Sequence, residues 1–163
     1  MFKEKYSEKD KTYMRLAIEK AKAGIKKGQT PFGACIVKAG RVVGLAHNKV
    51  WDTMDITAHA EITAIRQACK ALKTVSLKGC VIYSTCEPCP MCFSACHWAG
   101  ISKIVYGANI NDAKKAGFNE LAVSNQRLIK LSQTAMKSVC GCLRNENREL
   151  FGFWQQMGLN KVY

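Results

Sequence analysis

The sequence predicts an α/β fold, two layers of helices around a mostly parallel central sheet. Three observations lead there. Helix-type and strand-type patterns alternate along the chain, no internal repeat or low-complexity segment interrupts them, and 163 residues at 48% hydrophobic content fill one domain over 1–163. Only 12 Gly and 3 Pro, with 23% charged residues, exclude collagen-like and disordered chains. The longest stretch without Asp, Glu, Lys or Arg, residues 88–102, contains two prolines and a histidine and is too short to span a bilayer. No apolar run follows Met1-Phe2-Lys3-Glu4-Lys5, so no signal peptide is expected, and the expected location is cytoplasmic.

Ser7 and Asp10 form an S-x-x-D helix start. The stripe Met14, Ala17, Ile18, Ala21 and Ile25 carries this helix to about residue 27, and Gly28-Gln29-Thr30-Pro31 ends it. Two β-type runs, 33–38 and 41–46, meet at Ala39-Gly40 as a hairpin. Thr57 is the expected N-cap of a helix over 58–72, with Ile62, Ile65, Cys69 and Leu72 on one side. A buried-type strand over 80–85 breaks at Glu87-Pro88, and a helix over 89–99 follows. The strand over 101–107 is expected to run parallel to 80–85, because a helix lies between them. Residues 112–131 read as mainly helical, and 135–142 fit neither pattern. A final helix over 144–157 is expected to bury Leu150, Phe151, Phe153 and Trp154.

Nine cysteines without a secretory signal do not read as a disulfide framework. Cys35, Cys69 and Cys80 sit in apolar runs and read as core. The cluster Cys86, Cys89, Cys92, Cys96 is different, because it has metal-ligand spacing. On a helix Cys89 and Cys92 share one face, as chelating thiolates must. Cys86-x-x-Cys89 is a second C-x-x-C, but Cys86 is expected at a strand end, which favours the later pair. Cys96 reads as core, and Cys140 and Cys142 as packing or an oxidisable pair.

His59-Ala60-Glu61 stands at one helix start, and Pro88-Cys89-Pro90-Met91-Cys92 at another. His59 and Glu61 lie about 200° apart on a helix, so they can share a site only over its N-terminus, where first-turn side chains converge. One His and two Cys give zinc three protein ligands and leave the fourth position open, the mark of a catalytic site. Glu61 then stands beside the water that zinc activates, placed to move its protons. H-x-E followed by P-C-x-x-C is the signature of zinc nucleobase deaminases. Glu61 also argues against a catalytically dead zinc module, which has no use for that carboxylate.

The chain resembles the cytidine deaminase-like superfamily, and within it the bacterial guanine deaminases. The resemblance rests on Thr30-Pro31-Phe32-Gly33-Ala34, Asn48, Thr57-Ala58-His59-Ala60-Glu61, Cys86-Glu87-Pro88-Cys89-Pro90-Met91-Cys92, Trp98-Ala99, Ala116-Gly117-Phe118 and the last residue, Tyr163. It implies a three-layer α/β/α sandwich with a central mixed five-stranded sheet. It also implies one Zn2+ per subunit on His59, Cys89 and Cys92, and Glu61 as proton shuttle. Asn48 and the backbone of Ala60 would hydrogen-bond the base, and Phe32 and Trp98 would be apolar walls near the ring. A homodimer is implied, with segment 144–163 exchanged so that Tyr163 contacts the neighbour's substrate. Read without the resemblance, Asn48 is a turn residue, Phe32 and Trp98 are core, and Tyr163 is an ordinary terminus.

One departure bears on substrate. Where guanine deaminases carry an Asp that is thought to recognise guanine, this chain has Glu120, one methylene longer. That carboxylate can keep guanine in a shifted pose, or admit a guanosine-like nucleoside or an aminotriazine. Guanine to xanthine plus ammonia is the leading expectation, with a small purine base as partner. The net charge of +13 invites the rival, a tRNA adenosine deaminase. The stretch 107–118 lacks the pattern expected of that group, and the basic residues are spread along the chain, so nucleic acid is not favoured. A cytosine or cytidine deaminase is a weaker third reading.

Overall fold

A computed structural model describes residues 6–163; the five-residue start read above for a signal peptide lies outside the described residues. The elements follow in the order α1 (Glu8–Ile25), β1 (Gly33–Lys38), β2 (Arg41–His47), α2 (Val50–Thr53), α3 (Ala60–Leu72), β3 (Cys80–Cys86), α4 (Pro90–Ala99), β4 (Lys103–Ala108), α5 (Ile110–Lys115), α6 (Asn125–Ser132), β5 (Lys137–Cys140) and α7 (Arg144–Gln156). Ser7 and Asp10 close a reciprocal capping box at the start of α1. Ala39 and Gly40 both take positive φ, 47° and 77°, which suits the tight hairpin between β1 and β2.

The sheet order is β2-β1-β3-β4-β5. β1 pairs antiparallel with both β2 and β3, whereas β3–β4 and β4–β5 are parallel. The sheet is therefore evenly mixed, which corrects the expectation of a mostly parallel one. The reason is topological: a hairpin must be antiparallel, and the long α3 crossover returns the chain to β1 in the opposite sense. The parallel pairing of β3 with β4 around α4 is as expected.

Two cores flank the sheet. Met14, Ile18, Tyr83, Val105, Leu150 and Trp154 pack between the sheet and the layer of α1 and α7. Ile36, Ala64, Ile82, Phe93 and Ile104 pack on the other face, under α3 and α4. Gly33 and Gly44 let the helices approach closely. A Cβ at Gly33 would strike the Ala17 carbonyl of α1, and one at Gly44 the Ala64 carbonyl of α3. Phe153, expected in the core, is only half-buried.

Residues 112–131 do not form one helical stretch. Asn109 and Asp112 close a second capping box and start α5 earlier, and the chain leaves it through Gly117 at φ 104°. Residues 118–124 are irregular, and α6 begins only after its own N-cap, Ser124. Residues 137–140 of the ambiguous stretch become the short edge strand β5. Among the described residues no helix is long and apolar enough to cross a membrane.

Candidate active site

The site forms where α3 and α4 begin side by side. Thr57 is not the N-cap of α3; its amide and hydroxyl both bond the Asp55 carboxylate, at 2.8 and 2.7 Å. His59 takes the cap position instead, extended at φ −61°, ψ 159°. Cys89 caps α4 in nearly the same conformation, φ −63°, ψ 166°, with Pro90 fixing the first turn. Neither cap side chain bonds its own helix, so both are free to turn into the space between. Two helix N-termini facing one point favour thiolate there.

His59 Nδ1 stands 3.5 Å from Cys92 Sγ and 3.7 Å from Cys89 Sγ. A tetrahedral zinc with bonds of about 2.3 Å to sulfur and about 2.0 Å to nitrogen puts such donors about 3.5 Å apart. All three ligand atoms lie within 4.8 Å of one another, and the set is half-buried to buried. The residues present therefore fit zinc with one position left open. The Cys92 thiol donates to Glu61 Oε2 at 3.4 Å. The neighbouring Cys92, ahead of the countervailing burial, holds the Cys89 thiol down to about 4, and His59 acts in the same direction. Cys86 ends β3 and donates to the Asn109 carbonyl at 3.6 Å, so it is not part of the ligand set. Cys96 is buried core; Cys142 is buried as well, whereas Cys140 is exposed.

Glu61, buried in the first turn of α3, accepts a 2.8 Å hydrogen bond from the Ser84 hydroxyl of β3. Burial raises its carboxyl above the ordinary range, against the pull of His59. Ser84 was not foreseen; its inward place in a strand of small and apolar residues carries no motif. Asn48 is fully buried, and its roles as turn residue and as pocket residue coexist. Its Oδ1 accepts from the Val50 amide at 3.0 Å, which fixes the side chain so that Nδ2 faces the cavity. Ala60 is the first residue of α3, so its N–H is among those the helix cannot satisfy.

Phe32 and Glu120 line the same cavity as Asn48, His59 and Glu61. Phe32 meets Phe118 edge-on, ring centroids 4.9 Å apart. Glu120 is half-buried and raised to about 7, chiefly by burial, then by the nearby charges of Cys89 and Glu61. Tyr163 enters the cavity of its own chain. Its hydroxyl accepts from Asn48 Nδ2 at 2.6 Å, and its ring lies 5.3 Å from that of His59. With Tyr163 there, the cavity has room of about 20 Å³, enough for one water. Trp98 must be corrected: it is 85% exposed on α4 and lines no part of this cavity, because the buried face of α4 is made by Cys92, Phe93, Cys96 and Ala99.

Residues 7–108 match the model of the cytidine and deoxycytidylate deaminase zinc-binding region, and the chain belongs to that family. It is 44% identical over 110 residues to guanine deaminase of Bacillus subtilis, covering 67% of this chain and 70% of that one. It is also 44% identical over 96 residues to the tRNA-specific adenosine deaminase of Aquifex aeolicus, covering 59% of this chain and 64% of the relative. A solved tRNA:A34 deaminase superposes with a TM-score of 0.75 at 34% identity, over 85% of this chain and 98% of that one. The chain is thus a member of a zinc-binding deaminase family, and His59, Cys89 and Cys92 form a site that could hold the metal.

Proposed function

We propose that this deaminase converts guanine to xanthine and ammonia. The observation that carries the reading is the place of Glu120, a carboxylate in the same small cavity as Glu61, Asn48, His59 and Cys89. A carboxylate accepts from the adjacent N–H donors of guanine, and a base without them leaves it unpaired. When bound to His59, Cys89 and Cys92, zinc supplies a Lewis acid that lowers the pKa of a water in its open position. Glu61 would take one proton from a water there as the water oxygen bonds to the carbon bearing the exocyclic amine, and would pass it to the ring nitrogen. It would then take the remaining hydroxyl proton and deliver it to the amine as the carbon–nitrogen bond breaks, which leaves a carbonyl and ammonia. Ser84 holds Glu61 for both transfers. Phe32 forms an apolar wall; Asn48 Nδ2 and the Ala60 amide offer donors to ring acceptors. Tyr163 must withdraw from Asn48 for the base to enter.

A tRNA adenosine deaminase is the second reading. The +13 charge favours it, as does an open groove of about 740 Å³ beside Glu87, lined in part by Arg127 and Arg144. We further propose that residues 1–163 act as one domain in a homodimer, with exposed Trp98 as an interface residue. If segment 144–163 is exchanged, Tyr163 reaches the partner's cavity rather than its own. Light scattering should then give twice 18.1 kDa.

The test is ammonia release by zinc-loaded protein offered guanine, guanosine, adenine, cytosine and an adenosine-containing anticodon stem-loop, with Glu61→Ala as blank. Guanine turnover without stem-loop turnover supports the proposal. Stem-loop turnover without guanine turnover overturns it and assigns the groove to RNA.

A further inference from the structure

We propose that Glu87 is a positioning residue that sets which base the site accepts, by holding both ends of the segment that carries Glu120. The inference rests on the reading of Glu120 as the carboxylate that recognises the base. Glu87 is 7% exposed. Its Oε1 accepts from the Asn125 amide at 2.8 Å, and its Oε2 from the Ile110 amide at 3.3 Å. These are the first residues of α6 and α5, so one carboxylate ties together the two points between which residues 111–124 run. Asn125 Nδ2 reinforces the tie by donating to the Pro88 carbonyl at 2.6 Å. The Glu87 amide donates to the Ala108 carbonyl at 2.8 Å, fixing the carboxylate relative to the end of β4.

Glu87 accepts from the first amide of each helix, which the two cap residues leave unpaired. α5 already has Asn109 as its cap, bonded to the Asp112 amide at 3.0 Å, and α6 has Ser124, bonded to the Arg127 amide at 3.3 Å. What Glu87 adds is the link between them, made at the border of the cavity that Glu120 enters, with both carboxylate oxygens engaged by these amides. Inside the linked segment, Phe118 anchors in the core, while the next turns hold only locally: Glu120 N donates to the Phe118 carbonyl at 3.0 Å and Val123 N to the Leu121 carbonyl at 2.8 Å. The reach of Glu120 into the cavity therefore depends on where the two ends are held, and Glu87 holds both.

The experiment measures kcat and KM of zinc-loaded protein for the base that the unaltered chain deaminates fastest, together with zinc content and the ratio of kcat/KM between bases. In Glu87→Gln one amide face must meet an N–H with its own donor, so one link is lost. The expected result is KM raised about tenfold, kcat changed by less than about threefold, a narrowed preference among bases and one zinc per chain. Ile110→Pro deletes the other donor while keeping the charge. Proline suits the first helical position, and extended Asn109, ψ 174°, suits the residue before it. It should reproduce the KM shift. Combining Glu87→Gln with Glu120→Gln should change base preference no more than Glu120→Gln alone.

Zinc loss with collapse of kcat in Glu87→Gln would assign Glu87 to the zinc loop and overturn the proposal. Unchanged KM and preference in both variants would overturn it too, as would additivity in the combined variant. If Glu120→Gln leaves base preference intact, the reading of Glu120 fails and this inference falls with it. If Glu120→Gln shifts preference while Glu87→Gln and Ile110→Pro do not, only this inference fails.

Discussion

At one end of the cavity, His59 and Cys89 cap two regular helices, and Cys92 follows within the first turn of one of them. At the other end, Glu120 stands on an irregular segment between Gly117 and Ser124. The zinc end is built from short-range geometry: a residue at an N-cap and one three positions later have their relative places fixed by the helix itself. The Glu120 end is built from long-range links, Glu87 to Ile110 and Asn125 and Phe118 into the core. Chemistry common to the family rests on the first kind of construction. The choice of base, on our reading, rests on the second, where one altered tie moves a carboxylate without disturbing the metal.

The sharpest way to break this comparison is at Glu61. Glu61→Gln should lower turnover on the order of 100- to 10,000-fold, with zinc retained at one per chain by metal analysis. Loss of zinc with activity would make Glu61 part of the metal scaffold and erase the division between the two ends. Ser84→Ala removes a single hydrogen bond to that carboxylate and should cost on the order of tenfold in kcat with KM little changed. A rise in KM alone would place Ser84 with the base-binding groups.

The smallest expected effect lies outside the site. Burial raises the Asp10 carboxyl, but the Ser7 amide, the Tyr83 hydroxyl and Lys103 outweigh it and hold the group below its ordinary range. Its contribution to stability is therefore present above the unfolded value of about 3.9 and is lost as pH falls through the folded one. Asp10→Asn should be less stable than the unaltered chain at pH 7, and should lose less stability on acidification below about pH 4, read by denaturant melts. Equal acid slopes would show that other carboxylates govern the acid limb.

The same contrast explains what the sequence reveals. His59, Glu61, Cys89 and Cys92 are legible because helix geometry ties spacing to direction, so H-x-E and P-C-x-x-C already state a site. The hairpin and the α1 capping box are legible for the same local reason. Ser84 is not, because a strand position shows its partner only once β3 lies against α3. Glu87 is not, because its two partners are backbone amides 23 and 38 residues further along. Thr57 misled because an Asp two residues earlier competes for its hydroxyl. Trp98 misled because its motif position gives no helical face. The break in 112–131 was signalled by Asn109, Asp112 and Gly117, whose capping pattern outweighs the helix-forming lysines between them.

The most direct measurement is guanine turnover by zinc-loaded Glu120→Gln beside the unaltered chain. The account predicts full zinc occupancy and a fall in kcat/KM for guanine on the order of 100-fold or more, because the amide offers a donor where the base offers only donors. Unchanged guanine turnover in that variant, with zinc in place, would contradict the claim that base choice resides at the Glu120 end of the cavity.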